Sequence, residues 1–213
     1  MIGVVDYGRG NVGSVLNACA FLGAKAELVS TPEAAEACDG LIVPGQGHFG
    51  DCVRSLTQAG FDRFIPEWIA ADRPLFGICV GLQLLFEGSE ESPADAGLGV
   101  LPGVLRKFVP DVDHKVPQMG WNRIRIQPAG AGLYEDVEDN AFFYFVHSYY
   151  VPLEGDVLPA WVGSTTDYRL NYVSAVCQGN LWATQFHPEK SQRHGLQLLK
   201  NFLHQTKHLS ASA

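Results

Sequence analysis

The sequence predicts an α/β domain built on a mixed central sheet with helices on both faces. Two observations predict it. Between Ile2 and Cys79 an apolar strand, a loop and a striped helix recur four times, the pattern of a parallel sheet covered by helices. From Gly97 to Gln127 and again from Ala141 to Phe186, runs of Val, Ile, Phe, Tyr and Trp are broken by Gly, Pro and Asn, which reads as mostly antiparallel strands. The 213 residues are 46% hydrophobic and 18% charged, ample for one sizeable core. With no internal repeat or linker, residues 1–205 are expected to form a single domain and 206–213 a frayed tail.

Each element has its own signal. Ile2 to Val5 is the first apolar strand and ends at Asp6. Gly8-Arg9-Gly10-Asn11 is a loop, and Asn11 caps a helix whose Val12, Val15, Leu16, Cys19 and Leu22 share one face, with Gly23 as its stop. Ala26 to Val29 is the second strand. Thr31 caps a short Ala-rich helix with Pro32 in its first position. Leu41-Ile42-Val43 is the third strand, cut by Pro44-Gly45-Gln46-Gly47. His48 to Ala59 is weakly helical. Phe61, Phe64, Ile65, Trp68 and Ile69 form a further stripe, which Pro66 must kink or begin. Pro74 introduces the strand leading to Cys79. Later strands are expected around Val100–Leu105, Asn122–Ile126, Phe142–Val146, Ala160–Gly163, Val173–Cys177 and Leu181–Phe186, with a hairpin at Gly179-Asn180. A last helix carries Leu196, Leu199, Phe202 and Leu203.

A net charge of −8 argues against a general nucleic-acid or acidic-membrane binder. Cys19, Cys38, Cys52, Cys79 and Cys177 lie far apart with no C-x-x-C pair. That predicts reduced thiols in a cytoplasmic setting rather than a disulfide frame or zinc cluster. No metal or cofactor is expected. The strand pattern begins at Ile2, which argues against a signal peptide. No apolar run reaches the length of a membrane span.

The richest stretch for chemistry is Gly77-Ile78-Cys79-Val80-Gly81 between a strand and an apolar helix start. It has the G-x-nucleophile-x-G form of a nucleophile elbow, with Cys in the nucleophile position. A helix N-terminus there favours the thiolate. The same pentapeptide also fits a buried core cysteine between two turn glycines. Gln185-Phe186-His187-Pro188-Glu189-Lys190 closes the last strand. His187 and Glu189, two apart, fall on one side if the strand persists, the base-and-orienter half of a triad. Alone, the hexapeptide reads more readily as a surface His-Pro turn with a solvated Glu. Together the two stretches make chemical sense: the imidazole takes the thiol proton and the carboxylate sets its tautomer. Pro44-Gly45-Gln46-Gly47 ends a neighbouring parallel strand, where ligands of such sheets bind. It can offer the Gln46 N–H to an oxyanion beside the N–H of Val80, or be a plain turn. Gly8-x-Gly10-x-x-Gly13 formally matches a dinucleotide fingerprint but lacks an acidic residue at the end of the second strand, and a tight loop explains it. Lys115 to Asn122 reads as a compact loop with an exposed-type Trp121. Phe142 to Tyr150 reads as an aromatic strand whose His147 is a core histidine.

The elbow, with Gln83 after it, and the Gln185-Phe186-His187-Pro188-Glu189 stretch resemble the class I (triad) glutamine amidotransferases. Pro44 to Gly50, Ser89-Glu90-Glu91, Pro117-Gln118-Met119-Gly120-Trp121-Asn122, Tyr144 to Tyr149 and Glu189-Lys190-Ser191 are similar to the branch of that family that works in histidine biosynthesis. The likeness runs from Asp6 to the final helix. It implies a flavodoxin-like fold and hydrolysis of L-glutamine to glutamate and ammonia through a cysteinyl thioester. Cys79 would be the nucleophile, His187 the acid and base, and Glu189 the orienter. The backbone N–H groups of Gln46 and Val80 would form the oxyanion hole. Gln83, Glu91, Ser148 and Tyr149 match positions that hold glutamine. The resemblance also implies a partner, a (β/α)₈-barrel cyclase subunit. It would take the ammonia and yield imidazole glycerol phosphate and an aminoimidazole carboxamide ribotide. Asn11, Tyr144 and Lys190 match its interface, which makes Gly8 to Asn11 a docking loop. Two departures stand out: Gln46, where a small aliphatic residue is usual, and Gln118, where His is expected. A non-catalytic scaffold or a γ-glutamyl hydrolase on the same fold is the competing reading.

Overall fold

The computed structural model describes residues 1–155 and 157–206. The first half alternates as the sequence predicts: β1 (Ile2–Val5), α1 (Val12–Phe21), β2 (Ala26–Val29), α2 (Pro32–Glu36), β3 (Gly40–Gly45), α3 (Phe49–Gln58), α4 (Phe61–Ala70), β4 (Leu75–Cys79) and the single turn α5 (Val80–Gln83). The caps act as expected: Asn11 accepts from the Ser14 N–H and Thr31 from the Ala34 N–H. α4 continues past Pro66, which lies inside it.

The second half adds β5 (Gly88–Ser89), β6 (Val104–Lys107), β7 (Gln118–Arg123), β8 (Arg125–Ile126), β9 (Phe142–His147), β10 (Tyr149–Pro152), β11 (Val162–Tyr168), β12 (Leu170–Gln178), β13 (Leu181–Thr184) and α6 (Gln192–Gln205). The main sheet runs β2-β1-β3-β4-β13-β12-β10-β6-β5, with β11 on β12 and β8 on β11. Pairing is parallel from β2 through β13 and antiparallel across β12, β10 and β6. Helices cover both faces. β1, β3, β4 and β13 are buried throughout, which is why they read as apolar runs without alternation. β2 lies at the sheet edge and exposes Glu27 and Leu28.

Several expectations shift. The strand expected at Val100–Leu105 forms at Val104–Lys107, and the one at Ala160–Gly163 at Val162–Tyr168. The stretch at Asn122–Ile126 divides: β7 leaves the main sheet to pair with β9, and β8 joins β11. The Gly179-Asn180 hairpin forms as expected, with Gly179 at φ +57°. β13 is antiparallel to β12 but parallel to β4, so it belongs to both halves. Gln205, the last residue expected in the domain, lies within α6 and donates to Asn180 Oδ1. Thr206 is buried against Gly40, and the rest of the expected tail lies outside the described residues.

Candidate active site

The elbow is built by exclusion of side chains. Cys79 sits at φ +56°, ψ −109°, a region that an L-residue occupies only at a cost of about 1–3 kcal/mol. A Cβ on Gly81 would lie 1.9 Å from the Val43 carbonyl oxygen, and one on Gly77 would lie 2.9 Å from the Gly81 carbonyl oxygen. The turn therefore wedges between β3 and β4, and only glycine leaves room for it. The helix after it lasts one turn, shorter than the apolar run suggests, so a macrodipole contributes little to the thiol's chemistry.

Strand register delivers the other groups. Gly45 of β3 pairs with Cys79, which sets Gln46 just beyond the sulfur. Thr184 of β13 pairs with Ile78, which carries Gln185 to His187 past the same end. His187 is clamped there. Its N–H donates to the Tyr144 carbonyl at 2.9 Å, and its carbonyl accepts from the Ser191 hydroxyl at 2.6 Å. That hydroxyl in turn accepts from the Tyr144 N–H at 3.0 Å.

His187 Nδ1 donates to Glu189 Oε1 at 2.8 Å. The pair is close because Pro188–Lys190 forms a 3₁₀ turn, not because a strand persists. Burial pulls the His187 pKa down, but the facing Cys79 and the bonded Glu189 outweigh it and raise it to about 10. An imidazolium opposite the sulfur is the state that stabilises a thiolate.

Cys79, His187, Gln46, Val80, Gln83, Glu91, Ser148 and Tyr149 line one cavity of about 330 Å³. Glu91 Oε2 accepts from the Phe49 N–H at the start of α3, at 2.7 Å. Ser148 lies where the chain leaves β9 for β10. The Gln46 carbonyl accepts from Cys52 Sγ at 3.4 Å, and burial keeps Cys52 a thiol by raising its pKa to about 11. Gly47 follows at φ +99°.

Asn11, Tyr144 and Lys190 lie outside the cavity around one rim, for α1 and β9 both contact the Pro188–Lys190 turn. Gly10 packs against Pro44, so the Gly8 to Asn11 segment is a tight loop braced on the site. His147 is the core histidine expected, with Nδ1 at 2.8 Å from the Tyr149 carbonyl and Nε2 at 3.3 Å from Tyr172 Oη. Gln118, buried, accepts from the same Tyr172 hydroxyl at 2.9 Å. Sequence reading missed Gln185, a fully buried amide 3.7 Å from Cys79 Sγ. Its signal was a polar side chain at the end of an apolar strand. Among the described residues no group of three or more His, Cys, Asp or Glu is placed to hold a metal ion.

Comparison with known proteins identifies the family. The family model for class-I glutamine amidotransferases matches residues 3–206. The chain is 44% identical over 199 residues to the imidazole glycerol phosphate synthase subunit HisH of Deinococcus radiodurans, covering 93% of this chain and 91% of that one. It is 45% identical over 202 residues to HisH of Moorella thermoacetica, covering 94% and 93%. Among solved structures, a glutamine amidotransferase superposes with a TM-score of 0.72 at 20% identity, covering 97% and 98%. PurLQS from Thermotoga maritima superposes with 0.71 at 18%, covering 96% and 97%. At such identities the structures speak for the fold; the family match and the closer relatives carry the assignment, and the chain belongs to the class I glutamine amidotransferase family.

Proposed function

We propose that the chain is the glutaminase subunit of an imidazole glycerol phosphate synthase. The Cys79 thiolate attacks the side-chain amide carbon of L-glutamine. The oxyanion that forms is met by the N–H groups of Val80 and Gln46. The His187 imidazolium gives its proton to the departing nitrogen, which leaves as ammonia. Water then attacks the thioester, His187 takes its proton, and glutamate and the thiolate are released. Glu189 keeps the imidazole oriented throughout. Glu91 suits the substrate's α-ammonium by charge, with Gln83, Ser148 and Tyr149 as the remaining walls. The observation that carries this reading is the convergence of Cys79, His187 and Glu91 on one cavity from distant parts of the chain.

Ammonia is useful as a nucleophile only while neutral and retained, which calls for a second subunit. The reading assigns that role to a (β/α)₈-barrel cyclase, which uses the ammonia to form imidazole glycerol phosphate and an aminoimidazole carboxamide ribotide in histidine biosynthesis. The outer face of β7 and β9 supports a docking partner. Met119, Trp121 and Phe142 are exposed there, and Trp121 meets Tyr144 edge-on at 6.1 Å. Asn11, Tyr144 and Lys190 would contribute at its edge. Five free, buried cysteines suit the reducing cytoplasm, and no described helix is long and apolar enough to cross a membrane.

The test is glutaminase activity with and without the candidate cyclase. Activity is expected to be low alone and strongly stimulated when the cyclase holds its ligand. Cys79→Ala is expected to abolish glutamine hydrolysis and to leave ammonia-dependent synthesis by the complex intact. Equal loss of both, or of neither, sinks the assignment.

A further inference from the structure

We propose that Gln185 is a catalytic residue: its side-chain amide donates a hydrogen bond to Cys79 Sγ and stabilises the thiolate, with Gln83 as the positioning residue that sets the amide's direction. This rests on the glutaminase reading above. Gln185 has no solvent exposure, and its place after Thr184, the partner of Ile78, brings it alongside the nucleophile. Its Nε2 lies 3.7 Å from Cys79 Sγ. Its Oε1 accepts from Gln83 Nε2 at 3.0 Å.

An amide can in principle be turned end for end, and here its surroundings choose. Gln83 Nε2 also donates to the Tyr149 carbonyl at 3.4 Å, and a carbonyl can only accept. Turning Gln83 over would set two oxygens against each other. Gln83 therefore presents N–H to Gln185, Gln185 presents oxygen to Gln83, and the NH₂ of Gln185 faces the sulfur. The Tyr149 carbonyl that fixes this sense is itself held by His147 Nδ1 at 2.8 Å.

Such a donor complements the imidazolium. His187 must surrender its proton to the leaving nitrogen, after which it no longer offsets the sulfur's charge. A neutral amide has no proton to lose at working pH and stays in place through the cycle. Bonds to a charged partner outweigh neutral ones, and more so away from water. The step served most is thioester hydrolysis, in which sulfur departs as a thiolate. The titratable groups facing Cys79 are His187 with Glu189 behind it, Tyr7 beyond β1, and Cys52 on α3. Replacing Gln185 changes none of them.

The experiment measures the pH dependence of Cys79 alkylation by iodoacetamide in the full chain, with the Cys79 peptide followed by mass spectrometry. In Gln185→Met, which keeps length and loses the donor, the midpoint is expected to rise by about one pH unit. In the cyclase complex kcat should fall by about tenfold. A folded Gln185→Met chain with an unshifted midpoint overturns the proposal. If that variant does not fold, Gln83→Met decides. It leaves Gln185 in place with its amide released, so an upward shift supports the proposal and no shift overturns it. A Cys79→Ala chain that still hydrolyses glutamine in the cyclase complex overturns the glutaminase reading itself and this inference with it.

Discussion

His187 Nδ1 meets Glu189 Oε1 across 2.8 Å with the two side chains only 2% and 1% exposed. The other carboxylate oxygen, Oε2, has no hydrogen-bond partner among the described residues. A buried carboxylate so thinly satisfied is costly, and the positive charge that develops on the imidazole offsets that cost. Glu189→Gln keeps the shape and removes the charge. Glutamine-dependent kcat is expected to fall by about 10²- to 10⁴-fold while KM changes little. Steady-state kinetics in the presence of the cyclase checks this; an unchanged kcat removes Glu189 from the mechanism.

His147 gives a pH signature of the opposite kind. Burial lowers its pKa to about 4, against the raising effect of its bond to the Tyr149 carbonyl and with help from the nearby His187. The unfolded imidazole titrates near 6.5, so between those values the unfolded chain binds more protons than the folded one. Stability from this residue is full above about pH 6.5 and declines as the pH falls toward about 4, by on the order of 3 kcal/mol. Urea unfolding at pH 7 and pH 4.5 measures it. His147→Gln should show a correspondingly shallower decline.

The glycines divide into those with room and those without. Gly81→Ala must drive a methyl into the Val43 carbonyl oxygen and is expected to cost about 1–3 kcal/mol, with loss of glutaminase activity as the elbow shifts. Gly13 lies in α1 with nothing within 4 Å of its would-be Cβ. Gly13→Ala should stabilise the chain by about 0.5–1 kcal/mol. Thermal melts of the two variants give the comparison. A Gly13→Ala chain that is stabilised and active also removes the dinucleotide reading of the Gly8-x-Gly10-x-x-Gly13 loop.

Trp121, 46% exposed beside Tyr144, is the largest side chain on the face assigned to the cyclase. Trp121→Ala is expected to weaken the complex by about tenfold or more in Kd. The stability of the isolated chain should barely change. Titration calorimetry with the cyclase, beside a melt of the free subunit, separates the two effects. Unaltered binding would move the docking surface elsewhere.

What was legible in the sequence follows the range of the interactions involved. The runs of β1, β3 and β4 announced themselves because strands buried on both faces carry no polar alternation. The elbow was readable because its strand, turn and glycine constraints all lie within a few residues. His187 and Glu189 were paired correctly on spacing, although a 3₁₀ turn brings them together. The parallel seat of β13 beside β4 was not legible. Leu181 to Thr184 resembles any apolar strand, and nothing local states its neighbour. Gln185 was missed for the same reason, since its role exists only once that register is known. Most of β7 falls in Lys115 to Asn122, which reads locally as a compact loop, and the strand expected at Asn122 to Ile126 does not reveal where one sheet hands over to another.

The position of β13 has a consequence for how the protein is made. Cys79, the proposed nucleophile, ends β4, and His187, the proposed base, follows β13, which is synthesised later. Until β13 slides in beside β4, Cys79 has no imidazole facing it, and the two halves of the sheet have no shared strand. Long-range closure of this kind is the slow part of folding. A nascent or truncated chain therefore carries its cysteine unarmed. The proposed pair comes together only when β13 is in place, so completing the sheet and assembling the pair are the same event.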